Sequence, residues 1–380
     1  MRKKVLVVCM MNSVHSAKWL SQFKDSEFDF YIFPSTYFRS IHPLLKSLIK
    51  SNTTAYFNVQ FTTFSAGWFD YFQERFLRKL LPYFSRKNRL HRYLKCSKPT
   101  IVHAMEFQHS AYLSAEVIES FGKNFQFIAT NWGSDIYHFM NFPEHYLQIK
   151  KVLRVTDKYS AECSRDYNLA TELGFTGVFL PIIPNSGGFK AEDINRSRSA
   201  ASSRKQIIIK GYGGYFGRVE LVIQAMEKIL LDFPDYSVFF YSVTEDVFEL
   251  MQDLESRFKP RIRFSTLREP LNYENLQAIF SESRIYIGCS ISDGISTSFL
   301  ESLVSGAYPI QTKTSCADEW ISRGAMGSLI KLDINELIEA IELALKNDNL
   351  VDMAQRVNSD MAKTRLDSNA IFNQAKSFYT

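Results

Sequence analysis

Asp293 and Glu301 stand with seven residues between them, among them Gly294, Ile295, Ser296, Thr297 and Ser298. Residues 285–289 before them are apolar and rich in β-branched and aromatic types, which predicts a buried strand, and 290–296 is turn chemistry. A helix follows, opening on a hydroxyl residue and closing at Gly306, with Pro309 barring its continuation. Its free N–H groups and positive dipole end then face a loop at the carboxyl end of a strand, where phosphates bind. The two carboxylates flank that anion site. Ser298-x-x-Glu301 also spells a capping box, in which Glu301 satisfies a backbone N–H, so both readings stand.

A second constellation supplies cations. Residues 206–210 read as a strand that runs into Gly211-Tyr212-Gly213-Gly214-Tyr215-Phe216-Gly217-Arg218. Leu221, Val222, Ala225, Ile229 and Leu230 then mark the apolar side of a helix. Glycines let a backbone approach phosphates closely, and Lys210 and Arg218 set positive charge beside them. The glycines run G-x-G-x-x-x-G, one residue too long for a dinucleotide fingerprint. In the first half, a strand over 125–130 leads into Asn131-Trp132-Gly133-Ser134-Asp135, where Asp135 reads either as a ligand contact or as a helix N-cap. A strand over 5–8 leads to Asn12 and His15, and a short strand over 100–103 ends in His103. Both histidines fall at carboxyl ends of strands, where open α/β sheets place ligands, although a lone His is also a common core residue.

The acid-x7-acid spacing, the Gly-rich loop and the Gly-Ser-Asp loop together resemble the retaining nucleotide-sugar glycosyltransferases of family 4. The resemblance implies that Asp293 contacts donor-sugar hydroxyls and Glu301 holds the ribose. By the same resemblance Lys210 and Arg218 would neutralise the leaving diphosphate, the first in a position more usually Arg. The resemblance also implies that Gly133, Ser134 and Asp135 face the donor together with Gly211, Gly213 and residues 294–298, and that Asn12, His15 and His103 lie on the acceptor side. The block from Ser315 through Glu319 to Ile321 resembles the segment near the nucleotide base. Two positions depart from the family. Trp132 stands where a His often precedes the Gly, and the loop at Asn12 lacks the usual glycines. The resemblance further implies no metal and no cofactor beyond a nucleotide-diphosphate sugar, with the donor phosphate taking the acceptor proton in a same-face attack.

These residues need two sheets to position them. A chain of 380 residues suits two domains of ordinary size, and 46% hydrophobic with 22% charged residues is a globular balance. Strand-helix alternation on both sides of a polar stretch predicts α/β architecture. Two doubly wound Rossmann-like domains facing across a cleft, the GT-B arrangement, are expected. The boundaries read as 1–184 for the first domain, 185–205 for a Gly-, Ser- and charge-rich linker, 206–364 for the second, and 365–380 for a terminal helix crossing back to the first. With 14% aromatic residues, including 32 Phe, most rings must be core.

Cys9, Cys96, Cys163, Cys289 and Cys316 show no C-x-x-C pair, which favours a reducing compartment and gives no metal spacing. Arg2-Lys3-Lys4 and the apolar run after it read as a first strand, not a signal peptide. No run approaches the ~18 apolar residues of a membrane span. Net charge is +5, concentrated in 78–98, where Arg78, Lys79, Arg86, Lys87, Arg89, Arg92, Lys95 and Lys98 meet no acid. That segment reads as a helix lying on an anionic membrane surface or as a solvated helix packed on the sheet. No helix-turn-helix, zinc finger or aromatic RNA-binding motif accompanies it, which argues against nucleic acid. The expected activity is transfer of a sugar to a glycan or lipid-linked acceptor in surface polysaccharide synthesis, in the cytoplasm or on the inner membrane face. The alternatives are a non-catalytic sugar or nucleotide binding module and a sugar-nucleotide epimerase of the same fold.

Overall fold

The computed structural model describes residues 2–36, 41–51, 61–63, 72–77 and 81–380. The chain divides into two compact units, the first made of Met1–Gly187 with Ile371–Thr380 and the second of Gly188–Ala370.

The first unit holds the strands β1 (Lys3–Cys9), β2 (Phe28–Pro34), β3 (Phe61–Thr63), β4 (Ile101–Met105), β5 (Gln126–Thr130), β6 (Lys158–Ser160) and β7 (Val178–Phe179). They form one seven-stranded sheet in the order β3-β2-β1-β4-β5-β6-β7. The second unit holds β8 (Gln206–Lys210), β9 (Ser237–Val243), β10 (Ile262–Thr266), β11 (Ser283–Gly288), β12 (Tyr308–Thr312) and β13 (Ser328–Ile330), in the order β10-β9-β8-β11-β12-β13. Every strand pairing among the described residues is parallel.

Parallel strands covered on both faces need apolar residues at successive positions, and β1 and β8 have them. Val5, Val7 and Cys9 join one buried cluster while Leu6 and Val8 join another. In β8, Ile207 and Ile209 face one core and Ile208 the other. Each sheet therefore reverses its strand order once, at β1/β4 and at β8/β11, and the crevice outside the carboxyl ends there is where such folds bind ligands. The loops carrying Asn12 and His15, and those carrying Lys210 to Arg218 and Asp293, leave from these strands.

Residues 188–205, expected as part of a linker, belong instead to the second unit. Phe189 and Ile194 are buried in its core, and Phe189 N–H donates to Leu366 O at 2.8 Å. The polar composition hides this because Arg204 is spent on backbone. Its buried guanidinium donates to Ser283 O at 3.0 Å, Ser305 O at 3.2 Å and Ser199 O at 2.7 Å. The last helix, Ser368–Lys376, brings Phe378 and Tyr379 into the core of the first unit, both fully buried.

Candidate active site

In the second unit the Gly-rich loop and the acid loop are joined directly. Gly217 and Ser290 form an antiparallel bridge, and Ile291 N–H donates to Phe216 O at 3.0 Å. On the other side, Ser290 N–H donates to Thr312 Oγ1 at 3.1 Å, Asp293 bridges Ser315, and Cys316 N–H donates to Gly294 O at 2.8 Å. The Asp293 loop is thereby held between the loops that follow β8 and β12. Asp293 Oδ1 accepts from Gly294 N–H at 2.9 Å.

The glycines of the first loop have local causes. A Cβ on Gly211 would lie 2.7 Å from Val243 Cγ2 and 2.9 Å from Tyr241 O, and one on Gly217 would lie 2.0 Å from Tyr212 O. Gly213 N–H donates to Thr244 Oγ1 and Gly214 N–H to Glu220 Oε1, each at 2.9 Å. Arg218 Nη1 donates to Gly214 O at 2.9 Å, which anchors the guanidinium at the end of this loop. Lys210 Nζ lies 4.7 Å from the centre of the Tyr212 ring.

The helix after the acid loop, Thr297–Ser305, starts at N-cap Ser296 without a side-chain cap bond and ends at Gly306 with φ 76°. Ser298 is therefore inside the helix, and its Oγ accepts from Tyr241 Oη at 2.5 Å. This sets aside the capping-box reading of Ser298 and Glu301, because the helix begins two residues before that box requires. Glu301 is buried, 5% exposed. Burial, then the Glu301 carboxylate, push Tyr273 above the ordinary phenol range. Burial likewise raises Tyr286, with Asp293 and Glu301 both adding to the effect. Ile295 and Ser296 are buried, while Thr297 is half-buried.

In the first unit, Asp135 joins two loops. Its Oδ2 accepts from Phe107 N–H at 3.0 Å, after β4, and from Trp132 N–H at 2.9 Å, after β5. The N-cap of the Ser134–Tyr137 helix is Gly133, at φ 78°, so Asp135 is neither the cap nor an open ligand group. Burial, then the neighbouring Glu106 carboxylate, push the Asp135 carboxyl up. Glu106, which the sequence reading passed over, has φ 76° and accepts from the N–H groups of His109 at 3.0 Å and Ser110 at 2.6 Å. Its only signal in the sequence is a carboxylate placed directly after a fully buried strand.

The acceptor-side histidines separate. His103 lies in the middle of β4, because that strand runs two residues beyond the expected end, and it is fully buried. Its Nδ1 lies 2.7 Å from Tyr379 Oη and its Nε2 2.6 Å from Thr130 Oγ1. Trp19 Nε1 can only donate and does so to Tyr379 Oη at 2.8 Å, which joins Trp19, Tyr379, His103 and Thr130 in one buried chain of polar contacts. Burial holds this imidazole down to about 3. His103 is a core residue, which corrects its placement on the acceptor side. Asn12 is exposed in the loop after β1, and His15 begins the Val14–Ser21 helix with its ring 5.2 Å from that of Trp132.

The basic segment forms the helix Arg86–Ser97, and Arg78 and Lys79 lie outside the described residues. Arg86 Nη1 donates to Pro34 O at 2.8 Å, Lys87 pairs with Glu116 at 3.3 Å, Arg89 is buried, and Arg92 Nη1 donates to Tyr83 O at 2.7 Å. Lys95 and Lys98 are the exposed cations of 86–98. No helix among the described residues is long and apolar enough to cross a membrane.

No protein-family model matches the chain, and no curated protein sequence does. Solved structures do. HepE from Anabaena, crystallised with UDP-glucose, superposes with a TM-score of 0.69 at 12% identity over 99% of this chain and 98% of its own. Sucrose-phosphate synthase from Thermosynechococcus elongatus gives 0.72 at 14% identity, over 100% and 98%. The α,α-trehalose 6-phosphate synthase of Burkholderia multivorans gives 0.71 at 13% identity, over 100% and 99%. The fold is GT-B. In a GT-B chain the switch points at β1/β4 and β8/β11 belong to its two Rossmann-like halves, and the candidate residues other than His103 follow strands at or beside them.

Proposed function

We propose that this protein is a retaining, metal-independent glycosyltransferase of the family-4 type. It moves a sugar from a nucleotide-diphosphate donor to a glycan or lipid-linked acceptor in surface polysaccharide synthesis. The observation that carries the reading is the Gly217–Ser290 bridge. It ties the loop bearing Lys210 and Arg218 to the loop bearing Asp293, beside the side-chain-uncapped start of the Thr297–Ser305 helix. A diphosphate requires such a grouping of cations and free helix N–H groups.

In the proposed reaction the bond between the anomeric carbon and the diphosphate oxygen breaks, and the acceptor oxygen bonds to the same face of that carbon. The acceptor proton passes to the departing diphosphate. Lys210, Arg218 and the helix start take up the charge that develops there, which is the term preorganised sites contribute most strongly. Asp293 orients the sugar hydroxyls and Glu301 the ribose. HepE binds UDP and UDP-glucose, so UDP-glucose is the first donor to try. Exposed Lys95 and Lys98, with exposed Phe76, Leu81 and Tyr83 nearby in sequence, support peripheral contact with an anionic membrane surface.

The test is to incubate the full chain with UDP-glucose and a panel of glycan acceptors and to follow UDP release and product anomeric configuration. UDP release that depends on acceptor, with an α-linked product, is expected. Absence of UDP binding would overturn the reading, and conversion of the donor sugar without transfer would make the protein an epimerase.

A further inference from the structure

The loop that carries Asp293 leaves β11 where the backbone ladder between β11 and β12 stops, the last paired residues being Gly288 and Gln311. Just beyond that point the loop is held on one side by backbone, since Ser290 bridges Gly217 and Ile291 N–H donates to Phe216 O at 3.0 Å. The N–H and C=O of Ser290 itself serve the other side, toward the end of β12. There a side chain takes over from the ladder. Thr312 Oγ1 accepts from Ser290 N–H at 3.1 Å and donates to Ser290 O at 3.0 Å, so one hydroxyl uses its proton and a lone pair on both backbone groups of a single residue. Thr314 Oγ1 also donates to Ser290 O.

The hydroxyl sits on a fixed base. Thr312 is fully buried, and its backbone is in the ladder with β13, opposite Ile330. The turn after it carries Ser315, whose N–H donates back to Thr312 O at 3.3 Å and which bridges Asp293. The end of β12 therefore grips the acid loop twice, at Ser290 through a side chain and at Asp293 through backbone. Burial alone does not call for a threonine here, because valine would fill the strand position without a hydroxyl to satisfy. What the hydroxyl adds is the hold on Ser290.

We propose that Thr312 is a positioning residue for the sugar half of the donor: it fixes Ser290 and, through Ser290, the place of the Asp293 carboxylate, without touching the ligand. This rests on the transferase reading above, in which Asp293 orients the sugar hydroxyls and other groups hold the nucleotide. A residue that acts through Asp293 alters the hold on the sugar and leaves that on UDP, since the Gly217 bridge does not depend on it. Binding groups left to move by about 0.5 Å or more lose productive geometry, so a loosened loop is enough to weaken the contact.

The experiment compares the full-length parent with Thr312→Val, which removes both bonds, and Thr312→Ser, which keeps the hydroxyl. Calorimetry measures the affinities for UDP-glucose and for UDP, and hydrogen exchange reads the amides of 290–294. In Thr312→Val the affinity for UDP-glucose relative to UDP should fall roughly tenfold, the scale of one or two lost hydrogen bonds, and the loop amides should exchange at least about tenfold faster. Thr312→Ser should restore most of both. A merely structural role would lower the melting temperature of Thr312→Val and leave the UDP-glucose to UDP ratio at the parent value, which would overturn the proposal. Loop exchange unchanged in Thr312→Val, or a ratio that falls as far in Thr312→Ser, would overturn it as well. A parent protein that binds neither ligand overturns the transferase reading and this role with it, a failure seen before any substitution is made.

Discussion

The Tyr241 hydroxyl donates to Ser298 Oγ at 2.5 Å, inside the first turn of the Thr297–Ser305 helix. The start of the helix at Ser296 takes Glu301 out of a capping box with Ser298. Glu301 is a buried carboxylate whose charge is felt by Tyr241, Tyr273 and Tyr286. Burying an ion is costly, and a site retains one where a ligand or partner uses it.

Glu301→Gln should therefore weaken UDP binding by tenfold to a hundredfold, corresponding to roughly 1.5–3 kcal/mol for a hydrogen bond to a charged group. The melting temperature should move little, since Gln fills the same volume. Titration calorimetry and thermal unfolding measure the two effects separately. Unchanged UDP affinity would remove Glu301 from the ligand site.

Lys210→Ala should lower turnover by about 10²-fold, the scale of losing one preorganised charge stabiliser. Arg218→Ala should do the same and also release Gly214 O, so its melting temperature should fall further than that of Lys210→Ala. Asp293→Asn should impair turnover with little change in stability. Initial rates of UDP release, with unfolding curves for each variant, decide the matter.

His103 predicts an acid-labile first unit. Its imidazole is held down to about 3 in the fold, against about 6.5 in the unfolded chain. The unfolded state thus binds the extra proton between these values. The stability from a neutral His103 is complete above pH ~6.5 and is lost as pH falls toward 3, with a limiting slope of about 1.4 kcal/mol per pH unit. Denaturant unfolding of His103→Gln across that range should show a shallower slope, whatever its absolute stability.

Asp135 acts in the opposite sense. Its raised carboxyl keeps a proton in the fold that the unfolded chain has released, so its contribution is present at low pH and is lost as pH rises past the raised value. Asp135→Asn keeps an oxygen for the Phe107 and Trp132 N–H groups and has no proton to lose. It should gain stability relative to the parent between neutral pH and pH 9. A parallel pair of pH–stability curves would count against a buried, protonated Asp135.

The acid spacing, the Gly-rich turn and the strand before each were legible because their signals are local: β-branched runs, a left-handed Gly306 and Pro309. The strands read at 5–8, 100–103, 125–130, 206–210 and 285–289, and the helix after Asp293, fall within about two residues of β1, β4, β5, β8, β11 and Thr297–Ser305. Tertiary facts were not legible. Nothing in 100–103 shows that β4 continues to Met105 or that Tyr379, far along the chain, meets His103. Residues 188–205 look like linker because their polar side chains serve backbone carbonyls, a use that composition does not reveal. The cations of 86–92 read as a charged surface, yet they are occupied by Pro34, Glu116 and Tyr83.

Vesicle binding is therefore best tested with Lys95 and Lys98. The protein should sediment with anionic vesicles at low salt, and Lys95→Glu with Lys98→Glu should weaken this, each cation near the surface contributing about 1 kcal/mol. Raising ionic strength should have the same effect, because such attraction is screened over roughly 10 Å at 0.1 M. A parent protein that stays in the supernatant at low salt would end the membrane reading.

The placement of Tyr379 bears on how the polypeptide matures on the ribosome. The second unit is one uninterrupted stretch, 188–370, whereas the first recruits its closing residues from 371–380. Until those emerge, the indole N–H of Trp19 and the ring of His103 lack the hydroxyl they share, and Phe23, Phe28 and Phe30 lack the aromatic ring that packs among them. The half translated first is thus the half completed last.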